Sequence, residues 1–131
     1  MHTVTIKTHR RSELIDVTGQ IQDIVRSEGL SDGLVLAYVP HTTAGLTINE
    51  NADPDVSHDL LARLEQLAPR DLSEYRHMEG NSDAHIKASL VGSSVTIMVE
   101  QSKLCLGRWQ GIYFCEFDGP RTRQMIVKTN R

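Results

Sequence analysis

An α+β fold built mostly from antiparallel strands follows from three features of this 131-residue sequence. Apolar residues alternate with polar ones through several short runs, which is the period of half-buried strands. Neighbouring runs are joined by brief polar turns, and these suit antiparallel pairing because parallel strands need long crossovers. Between the runs stand three stretches with helical spacing and recognisable start and stop residues. The resulting order is roughly ββ-α-ββ-α-α-βββ, in one domain over residues 1–131, without repeats, linkers or low-complexity segments.

In TVTIK, Val4 and Ile6 share a face, and ELIDVT resumes the strand pattern after a polar break at Arg10 to Ser12, so an opening hairpin is expected. Thr18 is the expected cap of the first helix, whose apolar stripe is Ile21, Ile24 and Val25, and Gly29 stops it. GLVLAYVP reads as a buried strand and AGLTIN as another. Asp53 before Pro54 starts the second helix, because the carboxylate accepts from free amides and proline fits the first helical position. Val56, Leu60, Leu61, Leu64 and Leu67 follow at helical spacing, and Pro69 ends the run. Ser82 is the expected cap of a third, short helix with Ile86 and Leu90 inward and Gly92 beyond its end. Val95, Ile97 and Val99 then alternate with Thr96, Met98 and Glu100; WQGIYFCEF follows, DGPR turns the chain, and QMIVKT returns antiparallel.

Composition narrows the function classes. Hydrophobic residues are 39% and charged residues 24%, the balance of a globular domain. A chain of this length buries roughly two thirds of its unfolded surface and folds without disulfides or metal. The net charge is −3, and Lys and Arg are scattered except at Arg121, Arg123, Lys128 and Arg131, which argues against nucleic acid as a partner. No window approaches a membrane span, and MHTVTIKTHRR lacks the apolar stretch of a signal peptide, so the expectation is a cytoplasmic protein with no membrane partner. In that compartment Cys105 and Cys115 are expected to be buried, reduced thiols.

Three stretches carry more polar chemistry than turns require. In PHTTAGLTINENADPD, His41 leaves a buried strand and the next strand ends in Asn49, Glu50 and Asn51. Asn49, Asn51 and Asp53 have the one-three-five spacing of a calcium loop, but Pro54 replaces the sharp-turn glycine and Leu60 the bidentate Glu, so calcium is rejected. Capping explains Asp53 and Pro54 but not His41, Asn49, Glu50 or Asn51. In YRHMEGNSDAHIK, a cap at Ser82 puts His85 at the third helical position, beside the positive helix end that disfavours imidazolium. A neutral imidazole has a lone pair for a metal or a proton, and His77 lies in a loop that can fold back to it. His2, His9 and His58 are expected to be plain surface or edge residues. In LGRWQGIY, Gly107 and Gly111 around the only tryptophan suggest a bulge or a close ligand approach, and Trp109 itself is expected in the core, with Gln110 undecided.

HTTAGLTINENADPDV, YRHMEGNSDAHIKASLVG and GRWQGIYFCEFDGPR together resemble the signature segments of the YjbQ-like family, also called the secondary thiamine-phosphate synthase family. The similarity runs from about His41 to the C-terminus and is weaker before Gly33. It implies a mostly antiparallel β-sandwich with three flanking helices, assembled as a homotrimer with histidine-containing pockets at subunit boundaries and sometimes a bound metal. Residues standing in the matching motifs are His41, Asn49, Glu50, Asn51, His77, Asp83, His85 and Gln110. Where the family usually reads Gly-Thr-Trp-Gln, this chain has Arg108 in place of the threonine, which adds or blocks an anion contact.

The implied reaction joins hydroxymethylpyrimidine diphosphate to thiazole phosphate and releases pyrophosphate. Such a site must neutralise the leaving anion and align the nucleophile. The amides at the third helix start, Arg76, Lys87 and Arg108 are candidates for the anion, and Glu50, Asp53 or Asp83 for magnesium. His41, His77 and His85 instead favour a zinc-like divalent metal, so the residues and the implied reaction pull apart. Two alternatives stay open. One is a zinc-dependent hydrolase in which Glu50 activates water on a metal held by the three histidines; the other is a non-catalytic trimeric protein that binds a metal or a small phosphorylated metabolite.

Overall fold

A computed structural model describes residues 1–131. The chain runs β1 (His2–Lys7), β2 (Glu13–Asp16), α1 (Thr18–Ser27), β3 (Gly33–Tyr38), β4 (Ala44–Glu50), α2 (Pro54–Leu67), α3 (Ser82–Val91), β5 (Ser94–Glu100), β6 (Lys103–Leu104), β7 (Gln110–Glu116) and β8 (Thr122–Asn130). Every strand pair is antiparallel. The strands form a five-stranded sheet in the order β1-β8-β3-β5-β6 and a three-stranded sheet in the order β2-β7-β4. The fold is α+β, a mostly antiparallel sandwich with three flanking helices.

The expected opening hairpin does not form. β1 pairs with β8 and β2 with β7, so the polar break at Arg10 to Ser12 carries the chain from one sheet to the other. The return after DGPR is likewise not a hairpin: β8 leaves β7 for β1 and β3. Alternation within a strand reports which face is buried; it does not report which strand lies alongside.

The main core fills the space between the sheets and is closed by α1. Val35, Val99 and Met125 come from the large sheet, Leu46, Ile112 and Phe114 from the small one, and Ile21, Ile24 and Val25 from α1. β7 is buried on both faces. Ile112 and Phe114 enter the main core, while Tyr113 and Cys115 turn the other way to meet Phe117, Ala84 and Ala88 under α3. A Cβ on Gly45 would collide with the carbonyl oxygen of Gly92, so glycine is what lets the end of α3 lie on β4. There the Leu46 N–H donates to the Gly92 carbonyl at 3.0 Å.

The helix starts shift by one residue from expectation. Val17 occupies the cap position of α1 and Asn81 that of α3, neither with a side-chain cap bond, and Thr18 and Ser82 are the first helical residues. The Thr18 amide and hydroxyl both donate to Asp16 Oδ1, at 2.9 and 2.6 Å. α2 starts as read, with Asp53 accepting from the Asp55 N–H at 2.9 Å ahead of Pro54. α3 is turned over relative to expectation: Ile86 is 40% and Leu90 60% exposed, and the buried face is Asp83, Ala84, Lys87 and Ala88. An ion pair between Asp83 and Lys87 makes that inversion possible.

Cys115 is buried and Cys105 exposed, and both are free thiols, so only one follows the expected burial. Trp109 is 54% exposed instead of core, with the Arg108 guanidinium 4.8 Å over its ring. No helix is long and apolar enough to cross a membrane.

Candidate functional site

The opening stretch folds back as its composition suggested. The chain between α2 and α3 brings His77 to His85 on the first turns of α3, with ring centroids 5.4 Å apart and planes at 89°. Asn81 at the cap position makes His85 the fourth helical residue, one place beyond the expected third. Around this pair lies a cleft of 470 Å³ walled by Arg76, His77, Ser82, His85, Tyr75 and Ile86, with Glu74 as its one carboxylate. Arg76 is exposed and is absent from the arginine ion pairs, which use Arg11, Arg26, Arg121 and Arg123. The Tyr75 hydroxyl donates to the Pro69 carbonyl at 2.7 Å, so the half-buried Tyr75 walls the cleft with its hydroxyl already committed.

His85 also walls a second concavity of 480 Å³ that it shares with His41, Thr42, Ser89 and Ser93. His41 sits in the β3–β4 connection, where its Nε2 accepts the Gln124 N–H of β8 at 2.9 Å. Burial, then the nearby Arg123 guanidinium, lowers its pKa below the ordinary histidine value. The neutral ring therefore carries its proton on Nδ1 and is a donor on that side.

Below the site lies a chain of charges that sequence reading found only in part. Lys87, 2% exposed, donates to Asp83 Oδ2 at 2.8 Å and to Glu65 Oε2 of α2 at 2.5 Å. Asp83, 1% exposed, also accepts from Arg11 at 2.8 Å. Burial would raise the Asp83 carboxyl, but the hydrogen bonds from Lys87 and Arg11 outweigh it and hold it below the usual carboxylate range. Asp118 accepts from Asn81 at 2.9 Å and from Arg121 at 2.8 Å, while Asn81 Oδ1 is buried without a partner. Neither Asp83 nor Lys87 faces the cleft, so neither serves as the expected ligand contact. The i,i+4 spacing of the two residues was the legible signal of their pairing. Arg11 and Glu65 had no local signal.

A separate buried pair ties the sheets together at this end. Arg123 reaches Glu116 through Nε at 2.8 Å and Nη2 at 2.5 Å, and Thr8 donates to the same carboxylate at 2.7 Å. Arg121 and Arg123 are thus committed to Asp118 and Glu116, which dissolves half of the basic cluster seen near the C-terminus.

Asn49, Glu50, Asn51 and Gln110 are not at this site. They pair across the far end of β4 and β7, with Glu50 opposite Gln110 and Asn49 opposite Gly111. At about 3.4 Å per residue, Glu50 stands about 20 Å along the strand from Ala44, which walls the His41 concavity. Most of their polar groups have local work. Asn49 Oδ1 accepts the Glu50 N–H at 2.7 Å, and Gln110 Oε1 closes the preceding turn on the Gly107 N–H at 2.7 Å. A Cβ on Gly111 would lie 2.6 Å from Asn51 Nδ2, which explains that glycine by a neighbouring side chain and not by a ligand. Arg108 belongs to this far group, over Trp109.

No group of three or more His, Cys, Asp and Glu side chains is placed to hold a metal ion, so His41, His77 and His85 do not form the expected metal centre. His41 has already committed its Nε2 lone pair to a backbone amide. Glu50 is too far from the histidines to activate water among them within one chain, and the zinc-hydrolase reading falls with it.

Fold and site together define a class: a two-sheet antiparallel α+β protein with an imidazole cleft at the start of its third helix. Residues 2–131 match the family described as UPF0047 protein YjbQ-like, and the chain belongs to that family. UPF0047 protein YugU of Bacillus subtilis is 52% identical over 128 residues, covering 98% of this chain and 97% of that one. UPF0047 protein MJ1081 of Methanocaldococcus jannaschii is 54% identical over 123 residues, covering 94% and 88%. The crystal structure of an uncharacterized conserved protein of the yjbq/upf0047 family from Clostridium acetobutylicum superposes with a TM-score of 0.97 at 52% identity, covering 99% and 100%. Both relatives are named as UPF0047 proteins, with no activity stated, and a Sulfolobus solfataricus neighbour with a TM-score of 0.93 and 31% identity, covering 98% and 94%, is described as a YbjQ-like protein of unknown function. The family therefore carries no thiamine-phosphate synthase or hydrolase activity to this chain, and the expected transferase role in thiamine biosynthesis is withdrawn.

Proposed function

We propose that this protein binds a small phosphorylated metabolite in the cleft of His77 and His85, as a homotrimer in the cytoplasm. The observation that carries the ligand class is the edge-to-face imidazole pair, 5.4 Å between centroids, set in one cleft with the uncommitted guanidinium of Arg76 and the Ser82 hydroxyl. Guanidinium and imidazole donors suit the several acceptor oxygens of a phosphate. Apolar surface supports self-association. Leu34, Leu36, Tyr38 and Met98 are exposed on the outer face of the large sheet, and Ile86 and Leu90 on α3. The threefold number comes from the family resemblance. Two free thiols fit a reducing compartment, and a net charge of −3 with Arg121 and Arg123 internally paired fits neither a nucleic-acid nor an anionic-membrane partner.

Calorimetric titration with inorganic phosphate and a set of phosphorylated small molecules tests the ligand class. Binding that weakens about tenfold or more in Arg76→Ala is expected, since a charge-assisted contact is lost. Equal affinity in the variant would refute the assignment. Light scattering of the same samples should give the mass of three chains, and a monomer would remove the trimer.

A further inference from the structure

We propose that the metabolite is a phosphorylated polyhydroxy compound lying across His85, with its phosphate in the Arg76 cleft and its hydroxyl-bearing body in the His41 concavity. The proposal rests on the phosphometabolite reading above and specifies what else the ligand must carry. His85 is a wall of both concavities, and their volumes of 470 and 480 Å³ fall in the usual range for small-molecule sites. Their chemistries differ. The first holds the Arg76 guanidinium, with Glu74 as its one carboxylate; the second has no Asp, Glu, Lys or Arg side chain and is lined by the hydroxyls of Thr42, Ser89 and Ser93 among small residues. An anion has no counter-charge in this second concavity, and an aromatic ring has no flat apolar wall to stack on.

The direction of the hydrogen bonds sharpens the class. His41 accepts the Gln124 N–H on Nε2, so its remaining ring nitrogen is a donor. Ser89 donates its hydroxyl proton to the His85 carbonyl at 2.9 Å, so it offers the ligand only acceptor lone pairs. Thr42 and Ser93 offer both. A ligand group that only accepts leaves Ser89 unmatched, and one that only donates opposes His41. Alcohol hydroxyls donate and accept at once and match the whole set.

The test compares three probes by calorimetry on the native protein: inorganic phosphate, sorbitol 6-phosphate and hexyl phosphate, the last two sharing a six-carbon chain. Sorbitol 6-phosphate should bind about tenfold or more tighter than hexyl phosphate, as one or two net hydrogen bonds give. In a Thr42→Val/Ser93→Ala variant with unchanged melting temperature, that preference should shrink to within about threefold while inorganic phosphate binds as before. Equal or tighter binding of hexyl phosphate, with phosphate binding intact, would overturn the polyhydroxy assignment and leave the phosphate cleft standing. Failure of all three probes to bind would overturn both.

Discussion

Asp83 and Lys87 face each other at 2.8 Å inside the protein while Ile86 and Leu90 of the same helix face out. The helix that presents His85 is thus held down by charge, and its apolar residues are left for another surface. Arg11 and Glu65 extend the pair in both directions, so loop, α2 and α3 are fastened at one point.

Removing one partner should leave a buried charge uncompensated. Asp83→Asn is expected to lower unfolding free energy by about 3 kcal/mol, the lower end for a broken buried pair because Lys87 keeps Glu65. An Asp83→Leu/Lys87→Met double variant should lose much less than the sum of the singles. Urea titrations measure both, and additive losses would show that the pair does not act as a unit.

His41 gives stability a pH dependence near neutrality. Its folded pKa is lowered, so between the unfolded value of about 6.5 and the folded value the unfolded chain binds the extra proton. Its contribution is therefore full above about pH 6.5 and is lost as pH falls through the folded pKa. The urea midpoint should decline across that range in the native protein and stay flatter in His41→Asn. Asp83, Glu116 and Asp118 also have lowered pKa values, and their loss belongs to the separate window below about pH 4.

Zinc should not stabilise the isolated chain. His77 and His85 supply two imidazoles where a closed site needs four ligands and a catalytic one three. Equimolar zinc is expected to leave the melting temperature unchanged within about 1 °C, whereas a rise of several degrees would reveal ligands that come together only in the assembly.

The two cysteines should separate cleanly under a thiol reagent. Burial pushes the Cys115 thiol up to about 12, whereas Cys105 is exposed. One thiol per chain should react in the native protein and two in denaturant. Fast reaction of both without denaturant would mean that the β7–α3 packing opens readily.

What the sequence determined by itself was local. The Asp53–Pro54 helix start, the α1 stripe of Ile21, Ile24 and Val25, the alternation of Ile97 and Val99, and the meeting of His77 with His85 each rest on residues within a few positions of one another. The α+β class follows from those elements in order. Tertiary structure alone decided which strands are partners: β1 finds β8 more than a hundred residues away, and alternation has the same form for any partner. It also decided which face of α3 is inside, because a helix with Asp83 and Lys87 on one side and Ile86 and Leu90 on the other is ambiguous until Arg11 and Glu65 arrive to pair the charges. The division of the polar motifs has the same origin. His41 and Glu50 are near in sequence, but an extended strand sets them at opposite ends of the sandwich, so only His41 reaches a concavity walled by His85.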